Sequence, residues 1–247
     1  MTLLKRDEIA SYFKACLNLN LDELKSAKDL PVDLKMVDSG RLSVYFAPFG
    51  LVHRQSFRVL FVGLTPGFNQ VFEAIRVFQE AEGDLEKFES LAHSIAFKGS
   101  MRRDIVAALD TLGLHRHLKI GSTSELFTAE DAQFCSLIRY PVFLNKNLKN
   151  YPGDSAVFKE KILKEMIEDY FIPILHRSGH SIIIPMGKWP SLILKELSKD
   201  DSTLESRVLF DFPHMSGANG HRKALFEKGR GRWRKTIAEW SKDMRVI

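Results

Sequence analysis

Two apolar runs that end abruptly in turns of small and polar residues constrain the fold of this chain most strongly. One covers residues 59–62 and leads into residues 63–67, and the other covers residues 208–210 and leads into residues 211–219. Each run is typical of a buried strand that delivers a loop to the carboxyl edge of a sheet. Open α/β sheets bind their ligands at that edge, so both loops are candidates for a functional site.

Four strand-like runs alternate with helical patterns along the chain. The strands are predicted at residues 57–62, 134–138, 181–185 and 207–210. Strands that alternate with helices indicate a parallel sheet covered on both faces. We therefore predict an α/β fold, a three-layer α/β/α arrangement with a central four-stranded parallel sheet. No linker or low-complexity tract interrupts the pattern, so we expect a single domain over residues 1–247.

Two helix boundaries can be predicted from individual residues. Asn69 is a plausible cap for a helix that reaches Glu80, because a short polar side chain can accept a hydrogen bond from the first turn. A long helix from Asp154 to His176 should bend or end near Pro173, since proline has no N–H to donate. A final helix is expected over residues 221–241.

The composition is that of an ordinary soluble protein, with 45% hydrophobic and 27% charged residues. No apolar stretch approaches the length of a membrane-spanning helix. Residues 1–8 lack the cationic-then-apolar order of a signal peptide. We therefore expect a cytoplasmic location and no association with a membrane.

Cys16 and Cys135 are the two cysteines of the sequence. Two isolated thiols cannot form a four-cysteine zinc or iron–sulfur site, and a disulfide is disfavoured in a reducing compartment. We expect both to be buried as small apolar residues. No metal, iron–sulfur cluster or other cofactor is expected.

Basic residues are concentrated directly after the second candidate loop. The net charge of +5 is mild, but the segment contains His221, Arg222, Lys223, Lys228, Arg230, Arg232, Arg234 and Lys235. A solvated helix face is the commoner explanation of such a run. Its position beside a candidate site favours contacts with phosphate groups instead.

The two loops resemble the signature motifs of the uracil-DNA glycosylase superfamily. Motif one is Gly63-Leu64-Thr65-Pro66-Gly67, and motif two is His214-Met215-Ser216. Between them, Phe97-Lys98-Gly99 precedes a helix that ends in Leu-Gly-Leu, and Ile184-Pro185-Met186-Gly187 resembles the third strand with its glycine. The order and spacing of these elements fit over residues 57–240. The first fifty residues are expected to be an N-terminal addition.

The resemblance implies a uracil-DNA glycosylase-like fold and hydrolysis of an N-glycosidic bond in DNA. Such enzymes flip the target nucleotide into a pocket. His214 matches the histidine that donates a hydrogen bond to the departing base, an electrostatic role. The alternative for His214 is a loop histidine that caps backbone groups. DNA is the expected partner, and we expect the protein to act as a monomer.

Motif one departs from the family at the residue that orients the attacking water. Many relatives have an acid or amide there, whereas this chain has Thr65, whose hydroxyl can hold a water but cannot act as a base near neutral pH. Asp211 is the acid nearest to His214 in sequence, although a structural turn residue is an equal alternative. Other candidates for the water site are Asn69, Glu73, Asp104 and Asp154.

The resemblance also implies a base pocket. Its expected members are Gly63, Pro66, Gly67, Phe68, Asn69, Phe97 and Ser136. Gly67 replaces the tyrosine with which the uracil-specific branch blocks a 5-substituent, and Ser136 falls about where relatives place the asparagine that reads uracil. Phe97 either stacks on the flipped base or belongs to the core. These departures favour a roomier pocket.

The segment after His214 corresponds to the family's loop that enters the duplex. Its small residues allow close approach to DNA, and Arg222 or His221 would fill the vacated space. The expected DNA-binding residues are Ser216, Gly217, Asn219, His221, Arg222, Lys223 and Lys188. The polar loop over residues 145–151 lines the DNA channel or is an ordinary exposed loop.

Three functions follow from these interpretations. The leading hypothesis is a DNA glycosylase for a modified or damaged base, a pyrimidine with a bulky C5 group as in hypermodified phage DNA, which would fit phage defence. The second is repair of uracil or another deaminated base. The third is a catalytically silent DNA-binding relative, because Thr65 is not an acid and fold alone does not establish chemistry.

Overall fold

The computed structural model describes residues 6–51, 54, 56–92, 95–128 and 130–243. The chain groups into two compact units, each built from segments that are separate in sequence. Unit 1 draws on residues 1–53, 64–95 and 136–175, and unit 2 draws on residues 54–63, 96–135 and 176–247. The expectation of a single domain stays a prediction.

Helices and strands follow one another in groups through the described residues. The α-helices are α1 (Arg6–Asn18), α2 (Phe68–Glu80), α3 (Leu85–Ala92), α4 (Ser100–Leu112), α5 (Leu114–Leu118), α6 (Lys161–Met166), α7 (Ile172–Arg177), α8 (Lys188–Leu197) and α9 (Arg222–Asp243). The strands are β1 (Lys35–Ser39), β2 (Leu42–Tyr45), β3 (Val59–Gly63), β4 (Ala132–Ser136), β5 (Val142–Leu144), β6 (Lys149–Asn150) and β7 (Ile182–Pro185). None of these helices is long and apolar enough to cross a membrane.

A three-stranded parallel sheet, in the order β4-β3-β7, forms the centre of unit 2. β3 and β7 run parallel, with Val59 opposite Ile182 and Val62 opposite Pro185. Both strands are uninterrupted apolar runs, as expected for a parallel sheet that is buried on both faces. The predictions of an α/β class and of a parallel sheet are confirmed.

The predicted fourth strand is reduced to one parallel bridge between Ile183 and Val208. The Ile183 N–H donates to the Arg207 carbonyl at 2.8 Å, and the Leu209 N–H donates to the Ile183 carbonyl at 2.9 Å. Beyond this bridge the chain turns, because Asp211 adopts left-handed backbone with φ of +60°. The described residues therefore contain a three-stranded parallel sheet with a bridge at its edge, not a four-stranded one.

Helix α9 closes the core of unit 2 with one apolar face. Trp233, Ile237 and Trp240 follow the spacing of a helical stripe and are all buried. The Trp233 ring lies 5.1 Å from the Phe212 ring, centroid to centroid, and its Nε1–H donates to the Phe210 carbonyl at 2.8 Å. The contacts of Trp233 therefore hold the final helix against the turn that precedes motif two.

Unit 1 contains an antiparallel sheet in addition to the four main strands predicted from the sequence. Its order is β1-β2-β5-β6, and β1 turns into β2 at Gly40, where φ is +58°. The first two strands come from the first fifty residues, and Gln79 of α2 donates to the carbonyls of Cys16 and Leu19, each at 2.8 Å. Those residues, as far as they are described, are an integral part of unit 1.

The capping prediction for Asn69 is wrong. Helix α2 begins at Phe68, and its N-cap is Gly67, whose backbone is extended. The Gly67 N–H donates to Gln70 Oε1 at 3.1 Å. Glycine at the N-cap costs the helix little stability. The rigid Pro66 precedes it, and the cap therefore lies two residues before Asn69.

Helical backbone continues past Pro173 to Arg177 instead of ending there. The irregularity precedes the proline as a π-helical segment, Ile167–Phe171, between α6 and α7. A π turn is wider than an α turn, so it relieves the clash between a proline ring and the carbonyl of the preceding turn. The bend is therefore absorbed one turn earlier than predicted.

Candidate functional site

Motif two of the sequence lies in unit 2 against the first residues after β7. Gly187 has φ of +105°, and its N–H donates to the Phe212 carbonyl at 3.1 Å. A Cβ atom placed on Gly187 would lie 3.1 Å from the Cβ atom of His214. Glycine is therefore required here twice, by the backbone angle and by the close approach of His214.

The imidazole of His214 makes no hydrogen bond with any described residue. Its backbone is fixed, because the Asn219 Nδ2 group donates to the His214 carbonyl at 3.0 Å. Although the residue is exposed, the protein atoms that crowd the ring disfavour its charged form and lower the pKa of His214. A neutral imidazole at pH 7 offers one N–H donor and one acceptor to a ligand.

This edge of the sheet is a topological switch point. β3 ends at Gly63 beside the end of β7, and the Met186 N–H donates to the Val62 carbonyl at 2.8 Å. From β3 the chain continues to β4 on one side of the sheet, and β7 lies on the other side. Crevices beyond the carboxyl ends of such strands are where α/β folds bind ligands. His214 lies at this edge, as the sequence predicted.

The loop after His214 is organised by Asn219. Its Oδ1 atom accepts from the His221 N–H at 3.2 Å, while its Nδ2 group holds the His214 carbonyl. Ser216 contributes a carbonyl that accepts from the Asn219 N–H at 2.9 Å. Gly217 is exposed, as are Ala218 and Gly220. The tip of the loop therefore consists of small exposed residues on a fixed base.

Arg222 is held against the protein. Its Nε–H donates to Asp104 of α4 at 3.0 Å, and a second nitrogen donates to the Asn219 carbonyl at 3.3 Å. This pairing favours a structural role over entry into DNA. His221 and Lys223 are exposed beside it, and Lys188 is exposed at the start of α8.

Asp211 sits among cations. Lys195 Nζ lies 2.7 Å from its carboxylate, the Ser191 hydroxyl donates at 3.2 Å, and Arg232 lies at 3.4 Å. Burial raises the pKa of Asp211, but the hydrogen bond from Lys195 and the two positive charges outweigh burial, so the pKa lies below its ordinary value. These contacts stabilise the left-handed turn. Its role in water activation stays a prediction.

The other carboxylates considered for water activation also have basic partners. Glu73 pairs with Arg76 at 2.9 Å, Asp104 pairs with Arg222, and Asp154 pairs with Arg41 at 2.6 Å. Asp154 additionally accepts from the Tyr151 hydroxyl at 2.8 Å, and burial raises the pKa of Tyr151 to about 12. Within the described ranges, no group of three or more histidines, cysteines or acids is placed to hold a metal ion.

Phe97 adopts a left-handed backbone with φ of +50°, an unusual conformation for an aromatic residue. Its ring is partly buried and lies 6.1 Å, centroid to centroid, from both Phe61 and Phe134. The Arg102 guanidinium donates to the Ala96 carbonyl at 2.6 Å and fixes this turn. Phe97 is partly buried and packs on the core of unit 2, and its role in stacking on a base stays a prediction.

Motif one continues in unit 1 and is tied to the segment after β4. The Thr65 hydroxyl donates to the Tyr140 carbonyl at 2.9 Å, and the Ile138 N–H donates to the Leu64 carbonyl at 2.9 Å. The hydroxyl proton of Thr65 is thus committed to the protein. Pro66 is buried, Ser136 and Phe68 are half-buried, and Asn69 is exposed.

Asn150 is a candidate site residue that the sequence did not single out. Its Oδ1 atom accepts from the Phe68 N–H at 2.9 Å, and its Nδ2 atom lies 3.2 Å from the position that a Cβ on Gly67 would occupy. The sequence had shown only a polar loop here. The space left by glycine in motif one is therefore bordered by an amide from a distant segment.

The basic residues of α9 divide into anchored and exposed groups. Arg232 donates to the Phe210 carbonyl and Arg234 to the Thr111 carbonyl, each at 2.8 Å, and Arg230 pairs with Glu227 at 3.3 Å. Lys223 and Lys228 are exposed and have no ion pair within the described part of the chain. The cluster is thus partly structural, which weakens the simple expectation of a continuous phosphate-binding surface.

The thiols lie where burial suppresses their reactivity. Cys16 is buried, and burial raises its pKa to about 12. Cys135 is half-buried by surface area, and the surrounding protein also raises its pKa. Thiols that remain protonated at neutral pH are poor nucleophiles and poor metal ligands.

Comparison with known proteins finds a relative in Bacillus subtilis (strain 168), the uncharacterized protein YoxB. The two chains are 30% identical over 222 residues, which cover 86% of each. No family model matches the chain, and no solved structure matches it.

Proposed function

This chain belongs to the same family as YoxB, and we propose that it is a DNA glycosylase, which flips a modified or damaged base and hydrolyses its N-glycosidic bond. The observation that carries the proposal is the position of His214. Its imidazole lies at the switch point of a parallel sheet, rests on Gly187 and has no hydrogen-bond partner among the described residues. A donor left unpaired and presented at a ligand-binding edge is suited to a substrate.

His214 supports the departure of the base. When the bond between C1′ of the sugar and the base nitrogen breaks, both electrons leave with the base, which becomes an anion, and the sugar becomes oxocarbenium-like. A neutral imidazole N–H donates to the anion without first losing solvation of its own charge. Water then adds to C1′ and releases a proton to solvent, which leaves an abasic site.

The lowered pKa of His214 fits this role. A histidine that stays neutral at pH 7 is a hydrogen-bond donor whose strength grows as negative charge develops on the base. The oxocarbenium-like sugar is itself highly electrophilic, so the attacking water needs orientation more than deprotonation. Loss of the family's acid at Thr65 is therefore compatible with slower but real hydrolysis.

We also propose the finer features that accompany this function. The fold is of the uracil-DNA glycosylase type, with the bridge at Val208 as a shortened fourth strand. DNA is the partner, and the exposed Lys223, His221 and Lys188 contact its phosphates. The protein acts in the cytoplasm as a monomer, and the favoured base is a pyrimidine enlarged at C5.

The second candidate function is that of a catalytically silent DNA-binding relative. The ion pairs made by the candidate carboxylates favour it. Asp211, Asp104, Asp154 and Glu73 all have basic partners, so none is a free base in the described structure. A family member that had lost its water-activating group would retain DNA affinity without cleaving the glycosidic bond.

Excision assays separate these functions. Duplexes that carry uracil, hydroxymethylcytosine or glucosylated hydroxymethylcytosine are incubated with excess protein, and abasic sites are revealed by alkaline cleavage. Removing the His214 donor with His214→Ala should lower the excision rate about 10²-fold or more, whereas His221→Ala, in the same exposed loop, should keep that rate while weakening DNA binding.

The outcomes discriminate clearly. Excision of uracil alone would contradict the preference for an enlarged base. Binding of every duplex without any abasic site would favour the silent relative and reject the glycosylase. Full activity of His214→Ala would reject the role of the histidine as the donor to the departing base.

A further inference from the structure

Three helices of unit 2 carry an excess of positive charge that the rest of the chain lacks. Residues 100–119 and 222–242, which contain α4, α5 and nearly all of α9, hold twelve Lys and Arg against four Asp and Glu, a net charge of +8. The whole chain has a net charge of +5, so its other residues sum to −3. The positive charge is therefore concentrated on these helices, as in a protein that attracts a polyanion.

The three helices pack together within unit 2. Arg222 at the start of α9 donates to Asp104 of α4 at 3.0 Å, and further along both helices Arg234 donates to the Thr111 carbonyl at 2.8 Å. The two contacts advance in the same direction along both helices, so α9 lies beside α4. α5 follows α4 after Gly113 and also contacts α9. Their charges therefore belong to one part of the surface of unit 2.

Five exposed cations of these helices define what we call the basic helical surface. They are Arg103 of α4, Arg116 of α5, Lys119 directly after α5, and Lys223 and Lys228 of α9. Within the described ranges, none of the five forms an ion pair or a side-chain hydrogen bond. A cation without an internal partner can neutralise a phosphate without breaking a contact of its own, and the counterions that it releases favour binding.

Helical spacing directs one cation of each helix away from the core. The residues that these helices contribute to one buried cluster are Ile105, Leu109 and Leu112 of α4, Leu114 and Leu118 of α5, and Trp233, Ile237 and Trp240 of α9. At about 100° per residue, Arg103, Arg116 and Lys228 stand opposite the buried sides of their helices. All three side chains therefore leave the packed helices on the side that faces solvent.

The basic helical surface offers charge without groups on which bases could stack. α4 and α5 contain no Phe, Tyr or Trp, and Phe226, Trp233 and Trp240 of α9 are all buried. Proteins that hold single strands use exposed aromatic rings for the bases, whereas a duplex keeps its bases inside and presents phosphates. The exposed Leu225 is too small an apolar area to anchor α9 in a lipid surface. A duplex is therefore the polyanion that fits best.

We propose that the basic helical surface binds the phosphate backbone of double-stranded DNA, so that the substrate of this protein is a duplex and not a single strand. The inference deepens the proposed function and rests on it in taking DNA as the partner. α9 begins directly after the loop that carries His214, and its 22 residues rise about 33 Å, close to one turn of B-form DNA. The surface thus contacts phosphates beyond the target nucleotide.

The test measures binding to an unmodified duplex of about 20 base pairs, and to one of its strands, by fluorescence anisotropy from about 50 to 200 mM salt. The wild-type protein should bind the duplex more tightly. Arg103→Gln, Arg116→Gln and Lys228→Gln combined should lower the slope of log affinity against log salt by about 2 to 3 and weaken duplex binding about 10²-fold at about 0.1 M salt. Glutamine is a good helix former, so the fold should be kept.

A second triple variant is the matched control. Lys25→Gln, Lys28→Gln and Lys87→Gln combined remove the same charge from exposed residues of unit 1 and should keep the wild-type slope. A wild-type slope in the first variant, or tighter binding of the wild-type protein to the single strand, would overturn the proposal. An equal loss in both variants would also overturn it, because the effect would then come from net charge and not from this surface.

The separate excision assay distinguishes this proposal from the proposed function. Excision by the wild-type protein, together with any of these contrary results, would leave the glycosylase standing and reject the surface alone. Duplex binding that depends on the surface, without any excision, would support the surface and reject the glycosylase. Binding to vesicles that contain phosphatidylserine, without binding to the duplex, would reject DNA as the partner of the surface.

Discussion

Gly187 offers the sharpest test of how motif two is positioned. Replacing it with alanine places a Cβ atom 3.1 Å from the His214 Cβ, which is tighter than nine in ten Cβ contacts in proteins. At φ of +105°, alanine is also strained, which costs about 1–3 kcal/mol. The Cβ atom of His214 is the base of its side chain and not a flexible end, so His214 itself must move by a few tenths of an ångström.

That displacement should act on the reaction more than on DNA binding. A catalytic group misplaced by about 1 Å can cost about 10²-fold in rate, so a smaller shift predicts a loss of about tenfold to 10²-fold in single-turnover excision. We expect Gly187→Ala to lose about 1–3 kcal/mol in urea unfolding as well. Binding to a duplex with a non-cleavable nucleotide should change much less than the rate.

Gly231→Ala is the control for glycine replacement itself. Gly231 lies in α9, and a Cβ there would meet nothing within 4 Å, so alanine should stabilise the helix by about 1 kcal/mol and leave excision unchanged. Excision at the wild-type rate by a folded Gly187→Ala protein would refute the link between this glycine and His214. An unchanged unfolding free energy would refute the steric argument.

Two further predictions concern titration. The pKa of Asp211 is lowered in the fold, so its carboxylate stabilises the protein above the ordinary pKa and loses that contribution as pH falls through the lowered one. Asp211→Asn should cost less than about 2 kcal/mol in urea unfolding at pH 7, discounted because the side chain is almost half exposed, and a smaller amount at about pH 3. An equal difference at both pH values would exclude this electrostatic origin. The pKa of His214 is also lowered, so its ring should titrate below about 6.5 in an NMR pH series. The rate of excision should then stay level from pH 7 upward to about pH 8.5. A His214 ring that titrates above about 6.5 would contradict the neutral donor.

The parallel strands were the most predictable part of the fold. β3 and β7 are buried on both faces, so their sequences are uninterrupted apolar runs that need no partner to be recognised. The antiparallel sheet has a weaker signal in the sequence. β6 has two residues, both exposed, and β1 is half-exposed, so neither shows the alternation that reveals a strand. The shortening of the last strand depends on the left-handed turn at Asp211.

The site was predictable where its residues are neighbours in sequence. The position of His214 could be predicted because its motif follows a buried run, and the structure places the residue at the sheet edge, while its role stays a proposal. Asn150 could not be predicted as a candidate site residue, because it is one through its contact with Phe68, which is far away along the chain. Asp211 likewise owes its ion pair to Lys195 and its turn to Ser191, and no local pattern reports such partners.

The interleaving of the two units has a consequence for how the chain is made. No contiguous fragment contains either unit, since the chain passes from one to the other five times between its ends. On the ribosome, β3 emerges early, but its parallel partner β7 is synthesised more than a hundred residues later. Until then, β3 is an apolar strand with one edge unpaired. An unpaired apolar strand favours aggregation and is a site to which chaperones bind. Synthesis, rather than the finished structure, is therefore the stage at which this protein is most vulnerable.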